Sequence, residues 1–320
     1  MSFVCYRDIE STTIDEKDYL KTGIKQFDKM CLGFGKSHLV IITGTRGGGK
    51  SSLLGQIELN FIDNGYRGLK YSLEMTNKRS KQWIVLQACG KENLKCETTI
   101  TGKELYVPKT SFITQKICEW IGDKCQIDNN ESYRFAVIKK NIEKKLEEDT
   151  SIDFVIIDNL FRMDIADFGN EKYLAQTRIA KELQELCQRK NVCLILVCHP
   201  NKVKTCPRIE DVGGSGDIIN ACDMCIIVHR VSNDFKYRAK DYFGWNDDNP
   251  LFEYDTLWEI AKDREFGEEG TMIGLYFEKE SKRFLNFKGE NKKYGWQNEG
   301  HQQQLIPIDP DDDLFNSLPF

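Results

Sequence analysis

From Leu39 to Thr43 the chain reads LVIIT, apolar and β-branched without a polar break, which predicts a strand buried on both faces. The next stretch, SSLLGQIELNFIDNGYRG, changes period. Leu53, Leu54, Ile57, Phe61 and Ile62 fall on one helical face and Gly65 offers a stop. The alternation recurs: GLKYSLEM, FVIIDNLF, VCLILVCH and CDMCIIVHR read as four further strands. Between the third and fourth of the five strands, EKYLAQTRIAKELQELCQRK reads as a long helix with Leu174, Ala180, Leu183, Leu186 and Cys187 on its apolar side. KKNIEKKLEED, Lys139 to Asp149, reads as the solvated face of a helix ahead of a strand. TLWEIAKDR and GTMIGLYFEKESKRFLNF suggest another strand and a closing hairpin. Continuous apolar strands alternating with helices imply an α/β fold with a mainly parallel sheet flanked by helices, ending in a C-terminal β-hairpin.

Composition narrows the class. With 320 residues, 40% of them hydrophobic and 30% charged, the chain can build one large globular domain with tails. No apolar run approaches the roughly 20 residues of a membrane-spanning helix, and the N-terminus carries no export or organelle pattern, so a soluble, cytoplasmic protein without a membrane partner is expected. The 12 cysteines are then best read as reduced thiols packed as small core residues. Cys222 and Cys225 sit in a strand pattern, and Cys89, Cys96, Cys118 and Cys125 in a lysine-rich connector without a nearby histidine, which speaks against zinc. A net charge of -5 does not advertise a nucleic-acid surface, so local charge has to decide.

Chemistry enters at the end of the first strand. Gly44-Thr45-Arg46-Gly47-Gly48-Gly49-Lys50-Ser51 fits G-x-x-x-x-G-K-[ST] at every fixed position, between a predicted strand and a predicted helix. In such a loop, backbone N–H groups curl around phosphates and the helix N-terminus adds positive potential. Lys50 reaches the β and γ oxygens, and Ser51 can ligate magnesium. Hydrolysis also needs a magnesium-orienting acid and a group that activates water. Asp158 ends the strand FVIID, and Glu74 ends YSLE, placements suited to these two roles.

The order TGIKQFDKMCLGFGKSHLVIITGTRGGGKSS, YSLEM, FVIIDNL, VCHPNK and GGSGDIINACDMCIIVHR resembles the motor domain of DnaB-type replicative helicases, in the branch of phage primase-helicases and mitochondrial Twinkle. The resemblance covers about residues 15 to 290. It implies a RecA-like P-loop NTPase core, a homo-hexameric ring, hydrolysis of ATP or another NTP or dNTP with Mg2+ at subunit interfaces, and translocation on single-stranded DNA. It assigns nucleotide contacts to residues 44 to 52, Ser52 included, metal contacts to Ser51 and Asp158, the catalytic base to Glu74 and a γ-phosphate sensor to His199. It further implies a finger for the neighbouring subunit's site at Arg264, with Lys262 as companion and Arg230 as the second candidate. PNKVKTCPRIEDVGGSG corresponds to a central-channel loop, with Asn201, Lys202, Lys204, Arg208 and Gly214 toward DNA and Gly213 and Gly216 adding flexibility. NLFRM after Asp158 departs from the family pattern, and residues 232 to 255 read as a surface insertion. A RecA-like recombinase and a non-translocating regulatory ATPase are the alternatives.

Three divisions follow: an N-terminal linker arm over 1–20, the ATPase domain over 21–300, and an acidic tail over 301–320. The tail ends IPIDPDDDLFNSLPF, an acidic cluster followed by Phe315, Leu318 and Phe320. It resembles tails that dock on a DNA polymerase, a primase or a single-stranded-DNA-binding protein. Deleting Asp311 to Phe320 is expected to weaken capture of such a partner in a pull-down while leaving NTP hydrolysis intact; undiminished capture would count against docking.

Overall fold

The structure is a computed structural model, and it describes residues 14–298 except 130, 166–167, 169–171, 201–204 and 213–215, together with Cys5 and Asp8. In chain order the elements are β1 (Tyr19–Leu20), α1 (Lys25–Cys31), β2 (Phe34–Gly35), β3 (Leu39–Gly44), α2 (Lys50–Asp63), β4 (Arg67–Ser72) and α3 (Asn77–Cys89). There follow β5 (Leu94–Thr98), β6 (Glu104–Pro108), α4 (Ser111–Ile121), β7 (Cys125–Ile127), α5 (Phe135–Glu148), β8 (Ile152–Asp158), α6 (Lys172–Lys190) and β9 (Cys193–Val197). The last are α7 (Gly216–Ala221), β10 (Met224–Arg230), α8 (Asn233–Phe243), β11 (Thr256–Asp263), β12 (Thr271–Glu278) and β13 (Arg283–Leu285).

Nine strands form one sheet in the order β13-β12-β11-β10-β3-β9-β8-β4-β7. The six strands from β10 to β7 run parallel, and β11, β12 and β13 add antiparallel pairs at one edge. Every residue of β3 and β9 is buried, as unbroken apolar strands between two helical layers require. One face of the sheet packs on α5, α6 and α7 through residues such as Ile138, Leu183 and Ile218. The other packs on α1 and α2 around Phe27, Phe61, Phe154 and Trp258. Because the central strands are parallel, the segments leaving β3, β4, β8 and β9 emerge along one edge, the position where open α/β sheets bind ligands.

The expected parallel sheet and antiparallel closure are present, and several local readings change. Helix α2 is buried around nearly its whole circumference, polar Gln56, Glu58 and Asn60 included. Each of these polar groups has a partner. Gln56 exchanges two 2.7 Å hydrogen bonds with the backbone of Phe284 in β13, Glu58 pairs with buried Lys70 of β4 at 2.5 Å, and the Asn60 amide donates to Thr22 O at 2.6 Å. Leu174 does not join the apolar side of α6. It is 51% exposed, while Ala175, Ile179, Leu183, Leu186 and Cys187 take the inner face. The connector from residue 89 to 125 is itself folded, as the β5–β6 hairpin, α4 and the edge strand β7. The predicted surface insertion turns part of its aromatic set inward: Phe235 and Phe252 are buried in a cluster with Phe243 and Trp245, while Tyr237 and Tyr242 stay exposed. Tyr19 and Leu20, placed in the arm by the sequence, pair with β2 and are buried.

Arg283 ties the closing hairpin to α3. Its buried guanidinium donates to Gln87 O at 2.5 Å, Lys292 O at 2.7 Å and Ala88 O at 2.9 Å. Arg283→Ala would strand three carbonyls and leave a void, so a loss of about 3 kcal/mol is expected in denaturant unfolding. A loss below about 1 kcal/mol would contradict this account of the edge.

Candidate active site

The glycine loop is shaped by contacts that exclude side chains. Gly44 has φ +147°, and a Cβ there would lie 2.3 Å from Val228 O on the neighbouring strand. Gly49, at φ +95°, caps α2 and would press a Cβ to 2.9 Å from the Phe284 ring. No side chain caps the first turn of α2, so its free N–H groups face the loop. Thr45 is half-buried, Arg46 exposed and Gly48 buried, while the carbonyl of Ser52 accepts from Gln87 at 2.5 Å.

Lys50 is only 6% exposed, and its ammonium donates back into the loop, to Gly44 O at 2.7 Å and Thr45 O at 2.9 Å. Burial lowers its pKa to about 8, against the opposing pull of Asp158 and Glu74. Ser51 follows on the helix and donates its hydroxyl to Asp158 Oδ2 at 3.1 Å. Asp158 closes β8 and is buried; burial first, and then the Glu74 carboxylate, raise its pKa, while the Ser51 hydrogen bond lowers it. Its Oδ1 has no hydrogen-bond partner among the described residues. A buried carboxylate oxygen of this kind, beside a hydroxyl and a buried ammonium, is a donor set suited to Mg2+ and a phosphate chain.

Asn159 stands out in the sequence only as part of NLFRM, yet it joins two predicted residues. Its Nδ2 donates to Glu74 Oε2 at 2.7 Å and lies 3.0 Å from His199 Nε2. His199 and Glu74 themselves are 3.7 Å apart. Burial, and then the charge of Lys50, push the His199 pKa down, which favours the neutral ring. The signal that could have found Asn159 is its type: the amide nitrogen of a carboxamide directly after a strand-ending acid carries two N–H donors and can bridge two acceptors.

Lys262 and Arg264 lie away from this edge. β10 runs parallel to β3 with Met224 beside Val40 and Val228 beside Gly44, while antiparallel β11 places Asp263 beside Met224. Both cations therefore flank the start of β3, about 15 Å of strand from the loop, too far to meet phosphates held by the same chain. Arg264 donates to Asp223 Oδ1 and to Asn220 O, each at 2.8 Å, and Lys262 donates to Ile219 O at 2.6 Å and Cys222 O at 2.7 Å. Asp223 in turn accepts from Leu39 N at 2.9 Å, so Arg264 is fixed to the strand that carries the loop. Arg230 closes β10 on the loop side and is exposed. Arg208 is also exposed, on a short turn beyond Pro200. Asn201, Lys202, Lys204, Gly213 and Gly214 lie outside the described residues.

The family profile described as "DnaB-like helicase C terminal domain" matches residues 19–286. The chain belongs to this family. It is 23% identical over 277 residues to the "Replicative DNA helicase DnaB" of Geobacillus stearothermophilus, an alignment covering 84% of this chain and 57% of that protein. The chain thus spans little more than half the length of this curated relative. Among solved structures it is similar to "The Structure Of A DnaB-Like Replicative Helicase And Its Interactions With Primase", with a TM-score of 0.64 at 18% identity, covering 83% of this chain and 61% of that one. The "Crystal structure of the RadB recombinase" matches with a TM-score of 0.53 at 14% identity, covering 82% and 97% of the two chains. Both likenesses show the fold, and the DnaB-like domain described above is RecA-like. Among the described residues, no helix is long and apolar enough to cross a membrane.

The depressed Lys50 pKa would make binding of a phosphate anion in this loop a proton-linked event. Below about pH 7 the empty site already holds a charged lysine; above about 8 the incoming anion must draw a proton onto it. Calorimetry in buffers of different ionisation enthalpy is expected to show close to one proton taken up per site near pH 9, and almost none from Lys50 below about pH 7. Uptake that does not change with pH would contradict the burial of this charge.

Proposed function

We propose that the chain is a ring-forming replicative DNA helicase motor that couples hydrolysis of ATP or another nucleoside triphosphate to movement on single-stranded DNA and to duplex unwinding. One observation carries this reading. Ser51 with Asp158, and Glu74 with Asn159 and His199, converge on the edge beside the glycine loop, brought there by the ends of neighbouring parallel strands.

In this reading the loop amides and Lys50 hold the triphosphate, exchanging the carbonyl contacts of Lys50 for phosphate oxygens. Ser51 and Asp158 would hold Mg2+, which supplies charge neutralisation on the phosphate oxygens when bound. Glu74 accepts the proton of the attacking water. Its Oε2 is engaged by Asn159, so the carboxylate is aimed before water arrives. His199 shares that amide and directly precedes Pro200, the residue at which the basic loop departs. A shift of the loop on DNA would thus reach Glu74 through one side chain.

Arg264 cannot serve the phosphates of its own chain, and its exposed position at the far edge fits delivery to the next copy in a ring, with Lys262 beside it. An arginine finger of this kind contributes about 10³-fold or more to the rate of phosphoryl transfer. The remaining partners follow from the resemblance: six copies in the ring, single-stranded DNA along its centre, and a polymerase, primase or single-stranded-DNA-binding protein on the acidic tail. A filament-forming recombinase would share the cradle, and electron microscopy with nonhydrolysable nucleotide and single-stranded DNA separates the two as closed rings or open filaments.

Unwinding of forked duplexes tests the proposal. Wild type is expected to displace a strand only with hydrolysable nucleotide, whereas Glu74→Gln keeps nucleotide binding and loses hydrolysis by about 10²-fold or more. DNA-stimulated hydrolysis without strand displacement on either a 5′- or a 3′-tailed fork would overturn the helicase assignment.

A further inference from the structure

The family resemblance leaves residues 232 to 255 without a role, and the fold gives them one. Ser232 caps α8 by accepting from Phe235 N at 3.1 Å, and Gly244 ends the helix at φ 67°. The inner face of α8 carries Phe235, Ala239 and Phe243. Trp245 and Phe252 fold back onto it, with ring centroids 4.9 Å apart for Phe243 and Trp245 and 5.6 Å apart for Trp245 and Phe252. Cys206 and Leu257 complete this small core. Cys206 belongs to the outgoing arm of the basic loop, so the insertion and the arm share one apolar cluster.

Three further contacts join them. The Thr205 hydroxyl donates to the Asp234 carboxylate, and Cys206 Sγ lies 3.8 Å from Phe235 O. The Arg208 guanidinium lies over the Tyr242 ring, 4.3 Å from its centroid. The base of the arm is held as well, by pairing of Pro200 with Val212 and by Asp211 Oδ2 accepting from Arg208 N at 2.8 Å. Tyr242 and Arg208 are both exposed, so this stack stands at the surface.

We propose that the insertion is a buttress for the loop's outgoing arm and that Tyr242 is a positioning residue, holding the Arg208 guanidinium flat so that its in-plane N–H groups meet a phosphate of single-stranded nucleic acid. Stacking covers the face of a guanidinium without consuming its donors. It also removes in advance the side-chain freedom that a free arginine would lose on binding a phosphate. The inference rests on the reading of this loop as a DNA-contacting segment.

Fluorescence anisotropy with a single-stranded oligonucleotide at several salt concentrations tests it. Tyr242→Ala is expected to weaken binding about 3- to 10-fold and to make the salt dependence shallower, while Tyr242→Phe, which keeps the ring, binds as wild type. Arg208→Ala should weaken binding at least as much, and adding Tyr242→Ala to it should cost nothing further. Wild-type affinity in Tyr242→Ala would overturn the proposal, as would an equal loss on top of Arg208→Ala, which would mark a merely structural role. A Lys202→Ala/Lys204→Ala variant separates the two levels. If it loses affinity while Tyr242→Ala does not, only the buttress fails; if it and Arg208→Ala both bind as wild type, the DNA-contacting reading of the loop fails as well.

Discussion

A charged lysine that is 6% exposed in the first turn of α2, just beyond a fully buried strand, is the constraint from which the rest of the site follows. Removing an ammonium from water is unfavourable unless its donors are met, and here two carbonyls of its own loop meet them at 2.7 and 2.9 Å. That arrangement needs a loop folded back on itself, which only glycine at Gly44 and Gly49 permits. It also needs β3 held rigidly at the centre of the sheet, with β10 and β9 on its two sides. Carbonyls satisfy the charge only in part, and a triphosphate satisfies it better. The loop is therefore poised for an anion.

The parallel sheet then divides the chemistry by distance. Everything that leaves the carboxyl ends of β4, β8 and β9 reaches the loop, and so Glu74, Asp158, Asn159 and His199 meet there. Everything at the far end cannot. Lys262 and Arg264 are pinned at that far end by carbonyls at the close of α7 and by Asp223, whose second oxygen binds the first residue of β3. One strand thus carries the glycine loop at one end and steadies the two cations at the other. This arrangement suits a site completed by a neighbouring copy better than a self-sufficient monomer.

Much of this was legible in the residues. Strands such as LVIIT and VCLILV announce burial on both faces, and the spacing of Lys50 and Ser51 announces phosphate chemistry wherever a strand precedes and a helix follows. What escaped depended on partners distant in sequence. The burial of Gln56 and Asn60 in α2 is set by Phe284 and Thr22, and no helical period encodes them. Leu174 looked apolar and therefore inward, but it sits on the outer side of a turn whose buried positions are Ala175, Gln176 and Thr177. Phe235, Phe243, Trp245 and Phe252 resembled surface decoration because their core is built from within the insertion and from Cys206 and Leu257. Strand β7 reads CQI, too short and polar to announce itself, and it pairs only at the sheet's edge. Asn159 was visible as a residue but not as a bridge, since Glu74 and His199 lie 85 and 40 positions away.

The central claim is that one chain's phosphate loop and another chain's Arg264 make one active site, and mixing defective subunits tests it most directly. Lys50→Ala removes the cradle and leaves the finger; Arg264→Ala does the reverse. Each alone should be nearly inactive in DNA-stimulated hydrolysis. Mixed before assembly, the two should regain a clear fraction of wild-type rate, greatest near equal proportions, because an intact loop then faces an intact finger. If the mixture stays as inactive as its parts, or if Arg264→Ala alone hydrolyses nucleotide like wild type, the shared site does not exist.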